Sequence, residues 1–245
     1  MFSLAGKVAI VTGGAGHLGS AIARALLLQG ARVVVASRHQ AKHEALCREL
    51  GPASSSLPLD IANRESVAAC FGQVERAWGG VDVLVNAAQR SGSLDSASMD
   101  AATWEAALDG GVSGTFWCCQ AAQRSMQRRG GGSIVNVSSI IAHRAPLPSL
   151  EAGAAAPASN YAMNKAAVLG LTRFLAVEWA RFGIRVNAVT PGAFPREAQS
   201  LPGVPLGRTG RADELGGAVL LLASDAGSYI TGQELVVDGG WSVAL

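Results

Sequence analysis

The chain has 245 residues, a hydrophobic fraction of 49% and a formal net charge of +2. That length suits one large α/β domain, and no apolar run reaches the roughly 18 to 20 residues of a membrane helix, so a soluble protein with no membrane partner is expected. The near-neutral charge balance leaves no basic footprint for nucleic acid.

The opening MFSLAGKVAIV enters a strand without the charged region and small-residue cleavage site of a secretory signal, which points to a cytoplasmic protein. That strand, KVAIVTG, leads through the glycine-rich turn Thr12 to Gly19, TGGAGHLG, into a segment of helical period over 20–30. The rhythm then repeats: ARVVVAS before a helix at 40–50, SSLPLD before 64–78, VDVLVNA before 101–128, GSIVNVSS before 159–182, IRVNAVTPG before 212–224, and QELVVDGG last. Strands apolar on both faces and separated by helices imply a parallel sheet covered on both sides. The pattern predicts a single-domain, doubly wound α/β fold of about seven strands over 1–245.

Two proline-rich stretches interrupt this rhythm near 142–158 and 193–211, each after the carboxyl end of a predicted strand. Ligands bind at such ends in open α/β sheets, so both are candidate substrate-rim loops. The cluster Arg124, Arg128 and Arg129 before three glycines reads as a helix end, where cations complement the dipole. Cys47, Cys70, Cys118 and Cys119 lack metal-ligand spacing and are expected to be buried thiols. His17, His39, His43 and His143 are scattered, so no metal site is expected.

The glycine-rich turn between strand and helix lets main-chain N–H groups approach a phosphate. The second strand ends about twenty residues later, where a dinucleotide fold reads the adenine ribose. In order and spacing, Thr12 to Gly19, Asp60, Asn86-Ala87-Ala88, Ser139, Tyr161-Ala-Met-Asn-Lys165, Pro191-Gly192 and the ending YITGQELVVDGGW resemble the short-chain dehydrogenase/reductase family along essentially the whole chain. The resemblance implies a Rossmann fold, a homo-oligomer, tetramer or dimer, and a dinucleotide cofactor at Gly13, Gly16, His17, Leu18, Ser37, Arg38, Asp60, Ile61, Asn86, Tyr161, Lys165, Pro191 and Phe194. Asp60, with Ile61 beside it, is then assigned to the adenine amino group, and Asn86 to stabilising the loop beside the cofactor.

Ser37 and Arg38 stand where relatives that prefer NAD carry a carboxylate. A guanidinium binds the 2′-phosphate of NADP through charge-assisted hydrogen bonds, so NADP is expected ahead of NAD. Tyr161 and Lys165, four residues apart in a helical segment, share one face. The nearby ammonium, together with a positively charged nicotinamide, is expected to lower the tyrosine pKa, suiting Tyr161 to act as acid and base on a ketone or secondary alcohol. The resemblance adds Lys165 as a holder of the nicotinamide ribose, Ser139 as the partner of the substrate oxygen, and Ser138 as a structural neighbour.

Several departures stand beside these matches. Gly111 replaces the asparagine by which most members hold a proton-relaying water, with Thr115 one turn onward as a possible substitute hydroxyl. Gly110 and Gly111 together should weaken their helix by about 1 kcal/mol each relative to alanine. The segment between Ser139 and Tyr161 is longer than usual and the lid before Arg208 shorter. The usual threonine after Pro191-Gly192 is missing, leaving Arg196 either as a charged substitute or as an exposed loop residue. His17 occupies a position where the family has glycine, which suggests that the turn's conformational freedom has moved to Gly16 and leaves the imidazole facing either a phosphate or solvent. The expected function is an NADP-dependent oxidoreductase acting on a small-molecule carbonyl or alcohol; the alternative is a catalytically impaired dinucleotide sensor or scaffold.

Overall fold

A computed structural model describes residues 1–89, 96–144 and 159–244. Its seven strands form one parallel sheet in the order β3-β2-β1-β4-β5-β6-β7. They are β1 (Val8–Thr12), β2 (Arg32–Ser37), β3 (Ser54–Pro58), β4 (Val83–Asn86), β5 (Gly132–Val137), β6 (Ile184–Pro191) and β7 (Glu234–Val237). The helices are α1 (His17–Leu28), α2 (Gln40–Leu50), α3 (Arg64–Trp78), α4 (Ala101–Leu108), α5 (Gly114–Arg128), α6 (Ser159–Trp179) and α7 (Glu214–Ala223). After β1 the chain builds outward through β2 and β3, then returns to place β4 on the other side of β1. A crevice opens at the carboxyl ends of β1 and β4, where the strand order reverses.

Period-two alternation explains why both sheet faces are apolar. Ile10, Val34, Leu84, Ile134 and Val186 point into one core with residues of α3, α5 and α6. Ala9, Val11, Val33, Val35, Val83, Val85 and Val135 point into the opposite core with α1, α2 and α7. The inner strands β1, β2 and β4 therefore bury successive side chains against different helices, which is why their sequences read as nearly continuous apolar, mostly β-branched residues.

Helix ends follow local chemistry. The Asn63 side chain accepts from the Glu65 and Ser66 N–H groups at the start of α3, and Gly79, with φ of 77°, closes it. Asp100 caps α4 by accepting from the Thr103 N–H at 2.7 Å. The predicted helix over 101–128 is interrupted: a π turn, Asp109–Ser113, joins α4 to α5.

The amino-terminal edge of the sheet is tied together by ion pairs and side-chain bonds. Asp82 accepts from the Val8 N–H at 2.8 Å and receives Arg129 Nε and Nη2 at 2.9 and 3.0 Å. Arg128 pairs with Glu75, so two of the three predicted helix-end arginines are bound to carboxylates. No helix among the described residues is long and apolar enough to cross a membrane.

Candidate active site

The crevice is a cleft of about 300 Å³ lined by the turn residues Gly13, Ala15 and Gly16, by the β2 end from Ser37 to His39 with Lys42, and by Asp60 and Ile61. Its inner wall is Ala87, Ala88, Gln89 and Gly110, and Arg196 stands at its mouth. Helix α1 begins there with Gly16 as its N-cap, without a side-chain cap or an acidic residue in its first turn. Its leading N–H groups are consequently free for an anion, and the helix dipole favours one.

Other features of the cleft fit a dinucleotide. Ser37 Oγ and Gln89 Nε2 are shielded from solvent without a protein partner. A Cβ on Gly13 would lie 2.7 Å from the Ala88 Cα, so only glycine lets the β1 turn pass the loop after β4. The left-handed conformation falls at Gly13, with φ of 65°. This corrects the expectation for Gly16, whose φ of −77° and ψ of 173° suit any residue.

The structure also redistributes several expected contacts. His17 is the first residue of α1, and its Nε2 lies 2.9 Å from the Pro195 carbonyl oxygen. A carbonyl only accepts, so Nε2 carries the hydrogen; the ring joins the glycine-rich turn to the rim segment through this bond. Asn86 is buried and turns inward, donating to Asn136 Oδ1 at 2.9 Å and to Cys119 Sγ at 3.3 Å. The loop after β4 is held instead by Thr12, whose Oγ1 accepts from the Ala88 N–H at 3.2 Å. Leu18 packs against the apolar core, and Pro191 ends β6. Phe194 lines a separate hollow with Val204, Leu206 and Gly210. The rim segment it leads into closes on itself, with Thr209 N–H donating to the Gln199 carbonyl at 3.0 Å. The other expected rim loop extends over 145–158, outside the described residues.

Ser139, Tyr161 and Lys165 come together where β5 ends and α6 begins. Ser139 caps a short turn by accepting from the Ile141 N–H at 3.3 Å. Lys165 Nζ donates to the Val137 carbonyl at 2.7 Å and lies 5.7 Å from the Tyr161 ring centre. Ser138 donates to the Lys165 carbonyl at 3.0 Å, fastening α6 to the end of β5. Burial pushes the Lys165 ammonium down to about 8. It also raises Tyr161 above the ordinary phenol range, with the neighbouring Ser139 hydroxyl opposing that shift. Among the protein groups alone, desolvation of the phenolate outweighs its polar neighbours; the expected lowering draws also on the charge of a nicotinamide.

Sequence reasoning passed over Gln89, Lys42 and Asn164. Gln89 stands one residue beyond the Asn86-Ala87-Ala88 motif after β4, and Lys42 lies in the first turn of α2, four residues beyond Arg38. Asn164 immediately precedes Lys165 and is buried against Gly111. Among the described residues, no group of three His, Cys, Asp or Glu side chains is placed to hold a metal ion. All four cysteines are free thiols, with Cys70 and Cys119 pushed up to about 12 by burial.

A family model described as enoyl-(acyl carrier protein) reductase matches residues 13–242. A galactitol 2-dehydrogenase (L-tagatose-forming) from Cereibacter sphaeroides is 37% identical, covering 99% of this chain and 98% of that protein. A D-threitol dehydrogenase from Mycolicibacterium smegmatis is 35% identical over 99% of this chain and 95% of its own length. Among solved structures, a gluconate 5-dehydrogenase from Burkholderia cenocepacia in complex with NADP and tartrate is 32% identical with a TM-score of 0.87, covering 100% of this chain and 98% of that one.

Proposed function

The chain belongs to the short-chain dehydrogenase/reductase family, and on that premise we propose that it interconverts a ketone and a secondary alcohol with NADP(H), using Tyr161 as general acid and base. The observation that carries this reading is the grouping of Ser139, Tyr161 and Lys165 beside a cleft suited to a dinucleotide. A bound nicotinamide would supply or accept the hydride.

In the reducing direction, the Tyr161 hydroxyl, kept protonated by its burial, gives its proton to the carbonyl oxygen. The Ser139 hydroxyl donates a hydrogen bond to the same oxygen and orients it. Lys165, anchored to the Val137 carbonyl, places a positive charge beside the phenolate that proton transfer leaves behind. In the oxidising direction Tyr161 must first lose its proton, so alcohol oxidation should rise with pH while carbonyl reduction does not.

The assignment to NADP rests on the β2 end. Ser37, Arg38, His39 and Lys42 form one cleft wall with no carboxylate among them. Arg38 and Lys42 supply charge for a 2′-phosphate, and Ser37 supplies an unengaged hydroxyl. The names of the similar galactitol and threitol dehydrogenases support a small polyhydroxylated substrate. We place the enzyme in the cytoplasm as one catalytic domain over 1–245. Exposed Phe174 and Val177 on α6, 69% and 83% accessible, support its assembly as a homo-oligomer, tetramer or dimer.

The experiment is turnover of NADPH with ketoses and other ketones, and of NADP with polyols and a steroid alcohol, in wild type and Tyr161→Phe. A loss of about 10²- to 10⁴-fold in kcat for Tyr161→Phe, with NADPH binding retained, is expected. Unchanged turnover in that variant would overturn the acid/base role. NADPH binding without turnover across the panel would favour the sensor or scaffold reading.

A further inference from the structure

Asn164 and Gly111 fit together across the junction of α4, the π turn and α6. A Cβ built on Gly111 would lie 2.5 Å from both Cγ and Nδ2 of Asn164 and 2.8 Å from its Oδ1. The Asn164 carboxamide therefore occupies the volume that any side chain at position 111 would need. Asn164 is 1% exposed, and its Nδ2 donates to the Ala107 carbonyl at 2.8 Å. That carbonyl lies in the last turn of α4, immediately before the π turn, where the wider backbone spacing disturbs the ordinary hydrogen-bond ladder.

This contact reaches both halves of the site. Gly110, within the π turn, lines the cofactor cleft. Lys165, the residue after Asn164, sends its ammonium to Val137 and stands beside Tyr161. Asn164 Oδ1 is buried without a protein partner, an arrangement that costs stability and so calls for a reason to keep the group there. The three side-chain or backbone atoms nearest a Cβ at Gly111 all belong to the Asn164 carboxamide, so Asn164 fills that space.

We propose that Asn164 is a positioning residue for the reaction: its carboxamide fills the place of the missing Gly111 side chain and locks the π turn to α6. The lock fixes the cleft wall at Gly110 and the backbone that carries Lys165. The two positions form a reciprocal pair, one holding the side chain and the other the space for it. This inference rests on the catalytic reading of Tyr161 and Lys165, and its test includes a measurement that needs no turnover.

The variants are Asn164→Ala, Gly111→Asn and the double exchange Gly111→Asn with Asn164→Ala. Asn164→Ala should lower kcat about 10- to 100-fold with KM changed less than about threefold. Gly111→Asn alone should be worse or fail to fold, because its side chain meets the Asn164 carboxamide. The double exchange should recover at least about tenfold in kcat over Asn164→Ala, since an asparagine then enters the same space from the other helix.

The chain has two tyrosines, and Tyr229 is fully exposed, so phenolate absorbance resolves the titration of Tyr161 in the folded protein. Asn164→Ala should move that midpoint by about half a unit or more through the displaced Lys165, and the double exchange should move it back. Wild-type-like kcat per folded molecule and an unmoved tyrosine midpoint, with only the melting temperature lowered, would overturn the positioning role. A double exchange no better than Asn164→Ala would overturn the reciprocal pair. If wild type showed no turnover while Asn164→Ala still moved the midpoint reversibly, the catalytic reading would fail and the lock would stand.

Discussion

The two ends of the central sheet treat their polar groups differently. At the amino-terminal edge, Asp82 binds the Val8 N–H and Arg129, Ser125 Oγ accepts from the Val81 N–H at 2.9 Å, and Ser133 donates to the Leu222 carbonyl at 2.8 Å. At the carboxyl edge, Ser37, Asn86, Gln89, Asn160 and Asn164 each keep a buried polar atom without a protein partner, and Lys165 is buried on a single carbonyl contact. One end satisfies its polar groups within the fold. The other leaves donors and acceptors unpaired within the protein, two of them, on Ser37 and Gln89, in the cleft wall, at a cost in stability.

The strongest way to break the comparison is at the satisfied edge. Asp82→Ala strands Arg129 and the Val8 N–H together, so denaturant unfolding should show a loss of about 3 kcal/mol, with kcat of the folded fraction unchanged. A change in kcat without a stability loss would mean that the two ends are not separable. At the carboxyl edge, Arg38→Asp should leave stability nearly unchanged and lower the NADPH to NADH preference at least about tenfold, measured as the ratio of kcat/KM values. A ratio that stays constant would remove Arg38 from 2′-phosphate recognition.

The smallest expected effect sharpens the boundary between turn and rim. His17→Ala removes one hydrogen bond to Pro195 and should weaken NADPH binding about fivefold, the value of roughly 1 kcal/mol. If this bond acts by holding Arg196 at the cleft mouth, Arg196→Ala should give a similar loss and the double variant little more. Fully additive losses would show that His17 acts without Arg196.

Much of the fold was legible because strand burial is written in consecutive residues. VVVA in β2 and VLV in β4 alternate between the two cores, and the helices at 40–50 and 64–78 have the bounds expected of them. The π turn was not legible, since two glycines signal a weak helix but not the carboxamide from α6 that packs into it. The same holds at the glycine-rich turn, where Ala88, brought in from the loop after β4, decides that the positive φ falls at Gly13. Motif spacing identified Tyr161 and Lys165 as neighbours, yet the direction of the tyrosine shift depends on depth of burial, which spacing does not encode.

Lys165 carries the central claim, that the catalytic end of the sheet is arranged for chemistry against stability. Its ammonium, pushed down to about 8 by burial, compares with an unperturbed value of about 10.4. The unfolded chain therefore binds the proton more tightly, and wild-type stability should rise as pH increases from about 8 towards 10.4, by up to about 3 kcal/mol, with the gain lost again as pH falls from 10.4 to 8 and no further change below 8. The decisive measurement is denaturant unfolding of wild type and Lys165→Met at pH 7 and pH 10. The account predicts an inactive variant that is about 2 kcal/mol more stable at pH 7, after allowing for the lost bond to Val137, with the advantage disappearing by pH 10. A variant less stable than wild type at both pH values would contradict it.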